Sequence, residues 1–381
     1  MSRNSYSIVS SVFRAKSSLL QNPNPKIKLL PFLLSRSWSL SSSPDTDANR
    51  SPRTRTPLEK QFETWVSRLR PGFTATDVDA ALRSQSDPDL ALDIFRWTAL
   101  QPGYCHSTAA YLTMLQISLS SRRFSAAESL VGEIVSGACP PDLPLLNRAI
   151  RFCCSRRHLF SRSFDIYKLM RSHSSCRPNL ETYSLLLSAI LKRFGKPPIC
   201  YIYLRSVRSL VRHMKAAGVF ADAFTLNLII KAFSICLEMD EAMRFYREMQ
   251  LYGCEPNEYT YGYITKGFCE KGLVEKGFGF FKEMRGKGFV PKSTVYMALI
   301  CSLAMEGRLD EGIKVLFDML ENSMAPDILT YRTVLEEMCR GGRTEAAFEL
   351  LEELGRRKGA MSRKMYSDLL EGLHWLQNPQ D

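Results

Sequence analysis

Midway along the chain, apolar and small residues recur three or four positions apart. Tyr261, Ile264, Thr265, Phe268 and Cys269 make one run, and Gly277, Phe278, Phe281 and Met284 the next. Such spacing places each set on one face of an α-helix. Gly272 between the runs predicts a left-handed helix closure, and Gly288 with Pro291 predicts the turn that starts the next pair. The predicted unit is a helical hairpin of helix A and helix B, crossing closely at the small residue Gly277. That position and its counterpart Ala347 are expected to accept Ala or Gly but not Leu, because overpacking costs about 1–3 kcal/mol.

The same pattern returns every 35 residues. Pro256, Pro291 and Pro326 keep this interval, as do Tyr261, Tyr296, Tyr331 and Tyr366, and Gly272, Gly307 and Gly342. A fixed period of this length predicts stacked repeats, each burying its apolar face against its neighbours. Regular units span 223–257, 258–292, 293–327 and 328–362, with a partial unit over 363–381. Upstream, 108–142 keeps the length, 143–179 has two extra residues, and 180–222 has eight, placed near "KPPICYIY". A degenerate copy over 72–107 leads the stack. The run "LEKQFETWVSRL" predicts a capping helix over 58–71, with Leu58, Phe62, Val66 and Leu69 on one face.

The segment "DAFTLNLIIKAFSICLEMDEAMRFYREMQLYGCEPN" resembles the pentatricopeptide repeat family, whose unit is 35 residues with Tyr-Asn, Gly, Ala, Met, Gly and Pro-Asp at set places. The likeness is strongest over 223–362 and weaker over 108–222. Tetratricopeptide repeats are the nearest alternative, but their Trp-x-x-Leu-Gly-x-x-Tyr start is absent. The resemblance implies an all-α fold, a right-handed superhelical solenoid of about eight 35-residue helix-turn-helix repeats, of the repeat-only class. It also implies binding of single-stranded RNA along the helix A surface, without catalysis.

In that family each repeat reads one base with the residue after the Tyr and the residue after the terminal Pro. The resemblance therefore assigns base reading to Asn147 with Asn179, Asn227 with Asn257, and Ser184 with Asp222. The first two pairs imply cytosine and the third a purine, with guanine favoured. Phe224 and Tyr259 stand either to wedge against a base or to cover the junction between repeats. Lys192 and Arg340 match the family's phosphate-facing position; Lys231 and Lys266, one turn earlier, either compensate or are solvated surface. Leu112, Gly262, Met297 and Arg332, with the partners Lys292 and Ser362, depart from the reading pattern. If a stacked base contributes about 1–3 kcal/mol, three competent repeats support roughly micromolar binding or weaker. The RNA site is thus expected to be short and weak alone, with a protein or ribosomal partner as the alternative occupant.

Charge and cysteine content refine this picture. Residues 1–44 hold thirteen serines and no acid, with a possible apolar stripe at Ile8, Val9, Val12, Phe13, Leu19 and Leu20. This predicts an organelle transit peptide over 1–38, followed by a disordered linker over 39–57. "SRSWSL" resembles a plant mitochondrial cleavage context, cutting between Trp38 and Ser39; the mitochondrial matrix is the expected compartment, the chloroplast the alternative. Losing 1–38 lowers the formal net charge from +12 to +6, so net charge alone does not define a nucleic-acid stripe. No apolar run approaches a membrane span. Eleven cysteines, none three apart, show no zinc spacing. No metal or cofactor is expected, nor is an appended nuclease or deaminase domain. Cys154, Cys269 and Cys339 fall on helix A's apolar face, and Cys139, Cys176 and Cys254 before the inter-repeat Pro, as buried small hydrophobes.

Overall fold

The computed structural model describes residues 57–69, 72–195 and 199–377, all within one unit, Pro57–Asp381. The segments expected to be a transit peptide and, up to Thr56, a linker lie outside the described residues. Within them every regular element is an α-helix. Helix α1 (Pro57–Arg68) is followed by the A–B pairs α2 (Ala75–Arg83) and α3 (Pro88–Ala99), α4 (Thr108–Ser120) and α5 (Phe124–Val135), and α6 (Leu143–Ser155) and α7 (Phe160–Ser172). Next come α8 (Leu180–Leu191) and α9 (Ile199–Ala216), α10 (Ala223–Ile235) and α11 (Met239–Leu251), and α12 (Glu258–Glu270) and α13 (Val274–Gly286). The series ends with α14 (Ser293–Met305) and α15 (Leu309–Glu321), α16 (Ile328–Arg340) and α17 (Thr344–Arg356), and a lone α18 (Arg363–Gln377). The fold is an all-helical solenoid of helix-turn-helix repeats. The extra residues of 180–222 lengthen the α8–α9 link and stretch α9 to 18 residues. None of the described helices is long and apolar enough to cross a membrane.

Each recurring column has a physical cause. The Tyr rings of helix A are buried, and their hydroxyls reach helix B of the same repeat: Tyr111 donates to Glu133 at 3.1 Å, Tyr261 to Glu283 at 2.7 Å and Tyr296 to Asp318 at 2.8 Å. Tyr331 instead donates to the Ala360 carbonyl at 2.9 Å, and burial pushes its hydroxyl up to about 12. An aromatic ring thus supplies apolar volume while its polar end is satisfied. At the helix A terminus, Gly272 adopts φ 76°, and the Leu273 N–H donates to the Phe268 carbonyl at 2.9 Å. This six-to-one bond closes the helix on a residue that carries no Cβ penalty.

The small-residue column is more demanding than expected at one place. A Cβ on Gly277 would lie 2.9 Å from Cys269 Sγ and 3.2 Å from the Thr265 carbonyl oxygen, so even Ala is crowded there. At Gly312 the nearest atom would be 3.6 Å away, and Ala fits.

Helix A of each repeat packs on its own helix B and on helix A of the next repeat, so the A helices form one continuous layer. Helices B flank that layer and touch one another little, α5 with α7 most. Helix α1 packs on α3, with Phe62 edge-to-face on Trp97 at 6.4 Å; Trp65 joins Phe62 and Leu69 against the core, rotating the contact face from the expected one. All eleven cysteines are free thiols. Burial pushes Cys153 and Cys269 up to about 12 and Cys139 up to about 11, which holds them as protonated, apolar side chains.

Candidate nucleic-acid interface

The expected reading residues fall on or just before helix A, at the junctions between repeats. Asn147 is the fifth residue of α6, and Asn179 is the N-cap of α8, where its Oδ1 accepts the Thr182 N–H at 3.0 Å. The structure brings the two together: Asn147 Nδ2 donates to Asn179 Oδ1 at 3.1 Å. Thr182 Oγ1 donates to Asn147 Oδ1 at 2.6 Å. The second amide hydrogen of Asn147 goes to Glu181 Oε2 at 3.0 Å, and Arg151 holds the other oxygen of that carboxylate at 2.6 Å.

The junction between α10 and α12 repeats the arrangement. Asn227 Nδ2 donates to Asn257 Oδ1 at 3.0 Å, and Thr260 Oγ1 donates to Asn227 Oδ1 at 2.7 Å. Both amides are almost fully buried, with Asn147 3% and Asn227 7% exposed. Each is fixed in one orientation by a neighbouring Asn and Thr, as a buried polar group requires. Among the described residues, Asn227 differs from Asn147 in keeping one amide hydrogen without a partner, because Tyr259 stands where Glu181 does.

The third expected pair is not brought together. Ser184 Oγ donates to the Glu181 carbonyl of its own helix at 2.9 Å, and Asp222 caps α10 by accepting the Thr225 N–H at 2.8 Å. No hydrogen bond joins them among the described residues. The Thr225 hydroxyl, in the column of Thr182 and Thr260, is fully buried and unpartnered. With Ser at 184 in place of Asn, this junction has no amide.

Toward the C-terminus the junctions change as units. Gly262 replaces Asn, and Val295 replaces the Thr opposite it; a Cβ on Gly262 would lie 3.3 Å from Val295 Cγ2. Met297 holds the column of Asn227, and the cap of the next repeat is intact, with Thr330 Oγ1 donating to Asp327 Oδ1 at 2.7 Å. Arg332 is exposed.

Among the expected wedges, Phe224 is open, 58% exposed, whereas Lys292 Nζ sits 4.0 Å over the Tyr259 ring and occupies one of its faces. Of the expected phosphate ligands, Lys192 is exposed at the end of α8. Lys231 lies 5.2 Å from the Tyr263 ring. Lys266 and Arg340 already carry carboxylates, Glu270 at 3.6 Å and Glu337 at 2.5 Å. A groove of about 490 Å³ runs beside α8 and gathers Arg151, Glu181, Ser184, Lys192 and Phe224. Sequence reasoning missed Thr182, Thr260, Arg151 and Glu181. The Thr column at 225, 260 and 330, itself 35 or 70 residues apart, carried the signal for Thr260.

The helical hairpins, their capped junctions and the continuous A layer define a helix-turn-helix repeat solenoid. Sequence profiles of the PPR repeat family match residues 221–270 and 291–340, and profiles of the single PPR repeat match 259–289 and 329–358. A mitochondrial pentatricopeptide repeat-containing protein of Arabidopsis thaliana is 55% identical over 214 residues, 56% of each chain. A second from the same plant, also named mitochondrial, is 31% identical over 200 residues, 52% of this chain and 45% of the relative. The crystal structure of the maize pentatricopeptide repeat protein PPR10 aligns with a TM-score of 0.51 and 21% identity, covering 83% of this chain and 47% of that one. The chain spans about half the length of the curated relatives it matches. Within it, residues 221–289 and 291–358 match pentatricopeptide repeats.

Proposed function

We propose that the chain is an organellar single-stranded RNA-binding protein of the repeat-only class, acting in transcript processing, stability or translation without catalysis. The observation that carries this reading is the pair of amide junctions, Asn147–Asn179–Thr182 and Asn227–Asn257–Thr260. Amides both donate and accept, so an oriented amide beside an open surface suits recognition of a base edge. The mitochondrial names of its relatives support a place in the mitochondrial matrix. A second reading, a helical scaffold for a protein or ribosomal partner, is favoured by the C-terminal A helices, where Met305 is 72% and Leu329 64% exposed.

Crosslinking of the tagged chain in purified mitochondria, followed by sequencing of attached RNA, tests the first reading. On a recovered site, Asn227→Ala is expected to weaken binding while leaving an unrelated strand nearly unaffected; melting is followed alongside, because Thr260 loses its acceptor. Lys231→Ala with Lys266→Ala is expected to weaken all strands alike and flatten the salt slope by about 0.7 per lost phosphate contact. Recovery of a ribonuclease-resistant protein assembly, with no enriched RNA, would overturn RNA reading in favour of the scaffold.

A further inference from the structure

The repeat with the insertion carries a surface that the Asn junctions do not use. Residues 143–222 hold fifteen Lys and Arg against three Asp and Glu, whereas 223–362 hold eighteen against twenty-one. The basic excess is thus concentrated in two repeats. Within them α9 contains no acid and runs for 18 residues, against 12 or 13 in the other B helices. Aligned at the column of Met214, Met249 and Met284, α9 gains its extra turn at the N-terminus. That turn bears three open apolar side chains, with Ile199 49%, Tyr201 44% and Ile202 60% exposed. The buried residues Cys200, Leu204, Val207 and Val211 follow one stripe of the helix. Tyr201, Arg205, Arg208 and Arg212 form the opposite stripe, exposed along its length. Among the described residues Arg208 has a carboxylate partner, Glu238 at 3.4 Å, and Arg205 and Arg212 have none. The Tyr167 hydroxyl and His213 Nδ1, 3.2 Å apart, set α7 beside α9, and α7 adds the exposed Arg171.

We infer that this face of α9 rests on an anionic lipid surface, with Ile199, Tyr201 and Ile202 at the boundary of headgroups and acyl chains and with Arg205 and Arg212 on the lipid phosphates. Four cations on one amphipathic helix, Arg205, Arg208, Arg212 and Lys215, with no acid among them, make the charge pattern that an anionic bilayer attracts. A bilayer sets anionic groups directly over an apolar layer, and α9 offers the complement of both within two turns. Tyrosine, an apolar ring with a polar end, suits that boundary. A nucleic acid or an acidic protein segment would match the arginines and leave the two isoleucines in water. The contact is peripheral, because the rest of the apolar face of α9 is already buried in the solenoid and none of the described helices can span a membrane. None of the Asn junctions takes part, so the lipid contact stands apart from the RNA reading.

The test mixes the full chain with vesicles of phosphatidylcholine, alone or with phosphatidylglycerol as the anionic component. Residues 1–38 are basic too, so binding is read at α9 itself. The first backbone N–H groups of a helix have no intrahelical partner and exchange readily with solvent. Those of α9 are expected to exchange more slowly on anionic vesicles and unchanged on phosphatidylcholine, and the effect to fade as salt rises. The lipid concentration that half-protects them measures affinity. Arg205→Gln with Arg212→Gln is expected to raise it about thirtyfold, for two cations near an anionic surface. Tyr201→Ser with Ile202→Ser is expected to raise it about tenfold, for lost apolar burial. All four side chains are exposed, so both variants are expected to fold, which thermal melting checks. No slowing at α9, or an arginine variant that binds as wild type does, would overturn the lipid contact. Loss in the arginine variant with full binding by the Tyr201 and Ile202 variant would overturn it in favour of a polyanion, either a nucleic acid or an acidic protein.

Discussion

The junctions on either side of α12 are built on the same backbone to opposite chemical ends. On the N-terminal side, Asn227 is buried against Asn257 and Thr260, with a hydrogen bond to each. On the C-terminal side, Gly262 and Val295 fill the same place with no polar side-chain atom. The difference shows that the reading position and the third residue of the next helix A form one structural unit, polar or apolar together. A lone Asn at 262 would lack its orienting hydroxyl and would press on Val295.

That unit can be broken. Thr260→Val removes the hydroxyl bonded to a buried amide oxygen, and leaves that oxygen unsatisfied; a loss of about 2 kcal/mol in unfolding free energy is expected from denaturant titration. Thr330→Val removes a bond to Asp327, whose Oδ1 still accepts the Thr330 N–H at 2.9 Å; less than about 1 kcal/mol is expected. Equal losses would show that the amide junction confers nothing special.

The unit can also be transplanted. Met297 holds the column of Asn227, and Asp327 and Thr330 follow in the columns of Asn257 and Thr260, so Met297→Asn supplies the amide of a polar junction. A gain of about tenfold in affinity for a strand extended by one nucleotide is expected, equivalent to about 1.4 kcal/mol. Titration by fluorescence anisotropy measures it, and unchanged affinity would argue that the C-terminal A helices face something other than RNA.

A smaller contrast sharpens the packing side of the comparison. Gly312→Ala has room and removes a helix-interior glycine, so it is expected to stabilise by about 0.5–1 kcal/mol. Gly277→Ala gains the same propensity but meets Cys269 and Thr265, and is expected to be neutral or to destabilise by about 1 kcal/mol. Thermal melting of the two variants in parallel decides it.

The repeat was legible in the sequence because its cause is local and periodic: the Tyr, Gly and Pro columns each do one mechanical job every 35 residues. The two Asn pairs followed from the family resemblance, and the structure places their side chains in contact. Ser184 with Asp222 did not come together because the short serine hydroxyl bonds to the Glu181 carbonyl of its own helix, where the longer amides of Asn147 and Asn227 reach the following cap. The carboxylates beside two of the cations were hidden for another reason. Reading columns between repeats hides neighbours along the helix, and Glu270, four residues after Lys266, and Glu337, three before Arg340, are such neighbours. Glu181 was hidden by its type, a carboxylate on a surface assigned to RNA, until Arg151 and Asn147 were seen to hold it.

The unequal packing of the two helix layers has a mechanical consequence. A helices press on one another from repeat to repeat, whereas B helices mostly do not, so the resistance to stretching is concentrated along one line of the molecule. Under tension the B side gives first, as the open edge of a hinged screen does, while the spacing between successive Asn-bearing helices holds. A strand lying along the A layer would therefore meet a ruler of nearly constant pitch, with any mismatch between its length and the protein's absorbed on the far side.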